Sequence, residues 1–281
     1  MIVVVSDVHL AEKRKDDKVE RDDREFLEFL NHVKENLLSD GGDLVILGDL
    51  IDFWRRDFAI ALMEMEDVVS VLTSFKSDVK VHYVVGNHDY YMLKLNENLS
   101  NHFPFENVAE SVRLQEGGEK FFFIHGYQLE VLANPYYKSL TSYKCFAENL
   151  CLAGDDTGNA ASELWDMIQT SKSTIDELRR IPSDLRGALK SMMKSPDERL
   201  FGRHDAALTI DNLAKSGSRT VYLGMGTDEF LIYGHTHIPT EREGGGNKYR
   251  VANVGSWNKT PCEEYRYLVI RDGVVKPEVW S

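Results

Sequence analysis

Cysteine is scarce in this chain: Cys145, Cys151 and Cys262 are the only three in 281 residues, and none form a CxxC pair. An odd number without paired spacing argues against a disulfide framework or a zinc knuckle, so each reads as a small buried hydrophobe. Long apolar runs are missing too. Nowhere do about 18 apolar residues follow one another, so no transmembrane helix is expected. The stretch Met1 to Val5 is apolar but too short for a signal peptide, lacks a basic leader, and is interrupted by Ser6, Asp7 and His9. The expectation is a cytoplasmic protein, with contact at the inner membrane face left open. Positive charge is also in deficit, with 33 Lys and Arg against 46 Asp and Glu and a net charge of −13. Gripping long nucleic acid needs a broad basic surface, so that partner is not expected. The deficit is uneven. Residues 136–216 carry 11 basic and 12 acidic side chains, making the middle of the chain the surface least repulsive to an anion.

What is present is a recurrent pattern of apolar strands ending in polar clusters. IVVVSDVHL opens as a buried strand running into a loop, and Phe26, Leu27, Leu30, Val33 and Leu37 then recur at helical spacing until Gly41-Gly42. DLVILGD is a second strand, Ile60 to Phe75 a helix, and VKVHYVVGNHD a third strand. This β-α-β-α-β order predicts parallel strands with helices packed on the sheet. EKFFFIHG follows as another strand, and between Tyr136 and Ser216 the strand pattern gives way to helical segments broken near Gly154–Gly158, Pro182 and Pro196. Strands return in EFLIYGHTH, KYRVANVGSW, EYRYLVIRDG and VVKPEVW, with Gly244-Gly245-Gly246 reading as a hairpin-type turn. The expectation is an α/β fold over residues 1–281 as a single domain, with a helical insertion, a cap, over 130–218.

Asp7 and His9, Asp49, Asn87 and His88, His125, and His235 with His237 each fall just past a predicted strand. In α/β sheets, ligand sites gather at the carboxyl ends of strands. A lone DxH or GHxH is more often a capped turn than a ligand pair; five such clusters in register are another matter. Asp7, His9, Asp49, Asn87, His125, His235 and His237 make a mixed nitrogen and oxygen donor set. That set suits Mn, Fe, Zn, Co or Ni, with Mn placed first, and not an all-oxygen calcium cage. Two such ions roughly 3.5–4 Å apart, bridged by a carboxylate, clamp a phosphoryl group and generate a bound hydroxide at neutral pH. Asp49 is the candidate bridge. His32, His82, His102 and His204 join no cluster and read as structural.

The ordered set Asp7-x-His9, Gly48-Asp49-x-x-Asp52, Gly86-Asn87-His88-Asp89, His125-Gly126 and Gly234-His235-x-His237 resembles the calcineurin-like metallophosphoesterases. The resemblance implies a two-sheet sandwich flanked by helices (α/β/β/α). It implies that Asp7, His9, Asp49 and His237 bind one ion, and Asp49, Asn87, His125 and His235 the other. It further implies that His88 protonates the leaving oxygen and that Asp89 orients His88. Within that superfamily the chain is most similar to UDP-2,3-diacylglucosamine hydrolases, which share DxHL, GDLxxxW, GNHDxxL, HGxxL, a helical insertion and GHTHxP. They cleave the pyrophosphate of a lipid-linked UDP-sugar. The chain departs from them in GDLIDFW where they carry GDLFEAW, and in Tyr127 where HGD is usual.

The implied activity is hydrolysis of a phosphodiester or nucleotide-linked pyrophosphate, the substrate a phosphate ester or nucleotide sugar carried on a lipid. The alternatives are a metal-dependent nuclease or generic phosphodiesterase on the same site, and a non-catalytic scaffold, which the complete motif set disfavours. Arg55, Arg56, Lys138 and Lys144 are the candidates to hold the substrate's anionic groups. Tyr136, Tyr137, Tyr143 and Phe146 open the insertion at helical spacing and could line an acyl groove, although an aromatic face packed on the sandwich explains them as well.

Overall fold

A computed structural model describes residues 1–10, 23–75, 77–99, 102–133, 137–153, 206–239, 249–257 and 264–281. The apolar opening forms β1 (Ile2–Val5), buried on both faces, and the next apolar run forms β2 (Gly42–Leu47). Between them the helical spacing gives α1 (Arg24–His32), continued by a π-helical turn over Val33–Leu37. The expected helix over 60–75 is two: α2 (Phe58–Glu64), capped by the Asp57 side chain, and α3 (Glu66–Thr73), with a break at Met65. Then come β3 (Val79–Val84), α4 (Met92–Leu99), β4 (Asn107–Ala109), β5 (Ser111–Glu116) and β6 (Glu119–Ile124). Helices α5 (Tyr127–Ala133), α6 (Leu140–Leu150), α7 (Ala206–Lys215) and α8 (Arg219–Leu223) precede β7 (Glu229–Tyr233), β8 (Val251–Asn253), β9 (Tyr265–Arg271) and β10 (Val274–Trp280).

The strands make a six-stranded sheet, β10-β9-β1-β2-β3-β4, and a four-stranded sheet, β5-β6-β7-β8. As the βαβ order requires, β1, β2 and β3 are parallel. Strand alternation sorts the side chains into layers. Ile2, Val4, Val45 and Leu47 of the first sheet meet Phe121, Phe123, Phe230 and Ile232 of the second. On the other face of the first sheet, Val3, Val5, Leu44 and Ile46 pack with Phe26, Phe29 and Leu30 of α1. On the other face of the second, Phe122, Ile124 and Leu231 pack with Leu129 of α5 and Ile210 of α7. The result is the expected sandwich of two sheets flanked by helices.

One expectation changes. Strands β7 and β8 run parallel, so the connection that contains the glycine run is not a hairpin; Gly244–Gly246 themselves lie outside the described residues. Tight hairpins fall instead at Gly117-Gly118, between antiparallel β5 and β6, and at Asp272-Gly273, between antiparallel β9 and β10, all four residues at positive φ. Most of the expected 130–218 insertion, together with Tyr136 and Cys262, also lies outside the described residues. At its start Tyr137, Tyr143 and Phe146 are buried in the core beside α6, as an aromatic packing face. Among the described residues no helix is long and apolar enough to cross a membrane.

Candidate active site

The polar clusters stand at the carboxyl ends of β1, β2, β3, β6 and β7. The loops after β1 and β2 are joined through their main chains: Asp7 N donates to Gly48 O (3.1 Å), His9 N to Asp49 O (2.8 Å) and Leu10 N to Leu50 O (2.7 Å). Close approach here demands glycine. A Cβ on Gly48, at φ +84°, would lie 2.4 Å from His125 Nδ1, and one on Gly86 would lie 2.0 Å from Asp49 Oδ1. Asp7, His9, Asp49, His235 and His237 all adopt positive φ, between 50° and 71°. Non-glycine residues enter that left-handed region seldom, and runs of them mark functional sites.

Each carboxylate commits one oxygen to the protein and turns the other toward the histidines. Asp49 Oδ1 accepts from His88 N (2.8 Å), while Oδ2 lies 3.1 Å from His125 Nε2 and 4.0 Å from His9 Nε2. Asp7 Oδ2 accepts from Ser6 Oγ (2.6 Å) and His235 N (3.0 Å), and Oδ1 lies 3.2 Å from His237 Nε2. The histidines are fixed from behind. His125 Nδ1 donates to Leu47 O at 2.8 Å, His9 Nδ1 lies 3.3 Å from Asp52 Oδ2, and His235 Nε2 lies 2.6 Å from Glu130 Oε2. Anchoring one ring nitrogen selects the tautomer and leaves the other free to ligate. Two buried atoms able to ligate, His9 Nε2 and Asn87 Oδ1, make no hydrogen bond. Buried polar atoms without partners are rare and call for an explanation such as a bound ion.

Asp7, His9 and His237 offer ligand atoms within 4.8 Å of one another, and so do Asp49, His125 and His235. His9, Asp52 and His88 form a third such group. There, however, Asp52 is already taken up by both imidazoles and by Arg55 Nη1 at 3.1 Å.

The carboxylate expected beside the His88 ring is Asp89, but the one found there is Asp52, whose Oδ1 sits 2.8 Å from His88 Nδ1. The Asp89 carboxylate is used elsewhere, accepting from Gly86 N (2.6 Å), Leu50 N (2.8 Å) and the Tyr83 hydroxyl (2.6 Å). It shapes the loop that carries Asn87 and His88. The indole of Trp54 stacks on the His88 ring, with centroids 4.2 Å apart. Asp52, Glu130 and Trp54 are the neighbours that motif spacing alone left without a role.

Electrostatics agree with this division. Burial opposes ionisation of Asp7, Asp49 and Asp52, but facing histidines, joined at Asp52 by Arg55, hold all three below the usual carboxylate range. Asp89 is pushed up to about 6 by burial and by Asp49. Burial disfavours charge on His88, yet Asp52 and Asp49 outweigh it and raise the imidazole above its ordinary value.

The four basic residues expected at the substrate do not act together. Arg55 touches Asp52 at the edge of the site, with its side chain 25% exposed. Arg56 pairs with Glu64, Lys144 with Glu110, and Lys138 is exposed just before α6.

A family model for calcineurin-like phosphoesterases matches residues 1–239. The chain belongs to this family. It is a metal-dependent phosphoester hydrolase. The chain is 24% identical over 261 residues to a UDP-2,3-diacylglucosamine hydrolase from Ectopseudomonas mendocina (strain ymp), covering 92% of this chain and 91% of that one. Among solved structures, an archaeal phosphodiesterase aligns with a TM-score of 0.42 at 14% identity, covering 99% of both chains. A dimetal phosphatase from Danio rerio aligns at 0.45 and 13% identity, covering 99% of this chain and 95% of that one.

Proposed function

We propose that this phosphoesterase hydrolyses a nucleotide-linked pyrophosphate or phosphodiester at a binuclear centre. Asp7, His9, Asp49 and His237 hold one ion, and Asp49, Asn87, His125 and His235 the other. The observation that carries the reading is the pair of ligand groups, Asp7/His9/His237 and Asp49/His125/His235, with Asp49 Oδ2 facing both His9 and His125. The buried His9 Nε2 and Asn87 Oδ1, which make no hydrogen bond, add to it. The mixed donor set fits Mn, and also Fe, Zn, Co or Ni. When bound, two such ions supply Lewis-acid polarisation of the phosphoryl group and activation of the attacking water.

The chain's own residues do the rest. His88 delivers a proton to the departing oxygen; Asp52 fixes its Nδ1 and thereby directs Nε2 outward. Trp54 holds the plane of the ring. Arg55 stands at the edge of the site, ready to meet an anionic substituent of the substrate.

For the substrate we favour a UDP-diacylglucosamine-like molecule, supported by GDLIDFW, GNHD and GHTHIP together with the curated relative. On this reading residues 130–218 form a cap beside the site, and the lipid portion brings the protein to a membrane surface from the cytoplasm. The test is hydrolysis by Mn²⁺-loaded enzyme of a UDP-diacylglucosamine, bis-p-nitrophenyl phosphate and short single-stranded DNA. Rapid UMP release with slow turnover of the other two is expected. Cleavage of the generic diester alone would remove the lipid assignment and keep the reaction class; preferred cleavage of DNA would make the chain a nuclease.

A further inference from the structure

Glu130 is a carboxylate where the sequence calls for an apolar residue. It lies in the run Tyr-Gln-Leu-Glu-Val-Leu-Ala of α5 and is wholly buried. Burying a carboxylate is costly unless its oxygens are used, and these are. Oε1 accepts from the Tyr137 hydroxyl at 2.9 Å, and Oε2 lies 2.6 Å from His235 Nε2. The Tyr137 ring in turn packs edge-on against Tyr143 of α6, with centroids 5.4 Å apart.

His235 needs such a support. Its main-chain N–H is tied to Asp7 Oδ2, but that bond does not set the ring. A neutral imidazole carries one N–H, and an acceptor at Nε2 keeps the proton there and frees the Nδ1 lone pair. His235 Nδ1 lies 3.3 Å from His125 Nε2, on the side of the second ligand group. His9 and His125 are braced from the loop after β2 and from β2 itself, whereas the brace on His235 comes from α5, held by Tyr137 at the start of the helical segment.

We propose that Glu130 is a positioning residue for the second ion, fixing the tautomer and angle of His235, with Tyr137 holding Glu130 and packing on Tyr143 of α6. The proposal rests on the binuclear reading above. It implies that the helical segment and the metal centre are mechanically connected, so a shift of α6 would be felt at His235.

The experiment uses chelator-stripped wild type, Glu130→Ala, Glu130→Gln and Tyr137→Phe, each titrated with Mn²⁺. Calorimetry gives stoichiometry and affinities, and electron paramagnetic resonance detects the coupled Mn pair. Wild type is expected to bind two ions. Glu130→Ala should weaken the second about 10–100-fold, leave the first unchanged and lose the coupled signal at concentrations that saturate wild type. Glu130→Gln should lose less, because its amide oxygen still accepts from Nε2–H, and Tyr137→Phe least. If both Glu130 variants fold and bind two ions with wild-type affinity, the positioning role is overturned and the binuclear centre stands. If Glu130→Ala does not fold, unchanged second-ion affinity in Glu130→Gln overturns the role by itself. Wild type binding fewer than two ions overturns the binuclear reading and this proposal with it.

Discussion

The loops of the first sheet and those of the second bring their ligands to the same place under different constraints. Asp7, His9 and Asp49 sit in loops zipped together by main-chain bonds, and Asp52 N closes the set onto Leu10 O at 3.0 Å. Their side chains are buried. His235 and His237 follow β7, where Gly234 N donates to His125 O at 2.7 Å and Thr236 receives Asn253 Nδ2 at 2.8 Å. The His237 side chain is 29% exposed, and His235 relies on a carboxylate from a helix. One half of the site is therefore held mainly by backbone, and the other leans more on side chains. Side-chain support is the easier kind to lose by a single substitution.

Four substitutions would break or sharpen this contrast. Asp49→Ala should have the largest effect, since it removes the carboxylate that faces both ligand groups and accepts from His88 N. Hydrolysis should vanish, and elemental analysis should find at least one ion gone. His88→Ala comes next: turnover should fall about 10²–10⁴-fold while both ions remain. Loss of metal in that variant would mean His88 is a ligand and not the proton donor.

Asp52→Asn should follow. An amide offers one acceptor oxygen where the carboxylate served His9 on one side and His88 on the other. One ring must lose its brace, so a 10–100-fold loss in metal affinity or in turnover is expected, according to which ring loses it. Titration and single-turnover rates together would tell them apart. Arg55→Ala is the mildest. The Arg55 side chain is a quarter exposed and the buried Asp52 keeps His9 and His88 as partners, so stability should change little, while KM for an anionic substrate rises. An unchanged KM would move substrate recognition away from this residue.

The first half of the site was almost entirely legible in the sequence. Apolar runs such as IVVV and LVIL stop where Asp7 and Asp49 begin, because the polar residues lie where the strands leave the sheet. The partner of His88 was not. Asp89 is adjacent in sequence and Asp52 is 36 positions away, yet the chain turns Asp89 inward to its own loop and to Tyr83. Glu130 did leave a trace, a charge inside an apolar helical run, but its partner His235 lies 105 positions on. Strands β4 and β5 were passed over because their residues are largely half-exposed and show no continuous apolar run. The parallel pairing of β7 with β8 was hidden by a glycine run that resembles a tight turn.

The left-handed backbone at Asp7, His9, Asp49, His235 and His237 bears on how such a centre could be moved or lost. Each non-glycine residue there costs about 1–3 kcal/mol, so the ligand set opposes the fold that displays it. Glycine at any of these positions relaxes the main chain while deleting a donor. A lineage that no longer needs catalysis would gain robustness by discarding ligands one at a time. Conversely, grafting these side chains onto another scaffold requires transplanting the loops with their handedness, because identical residues on right-handed turns would point elsewhere.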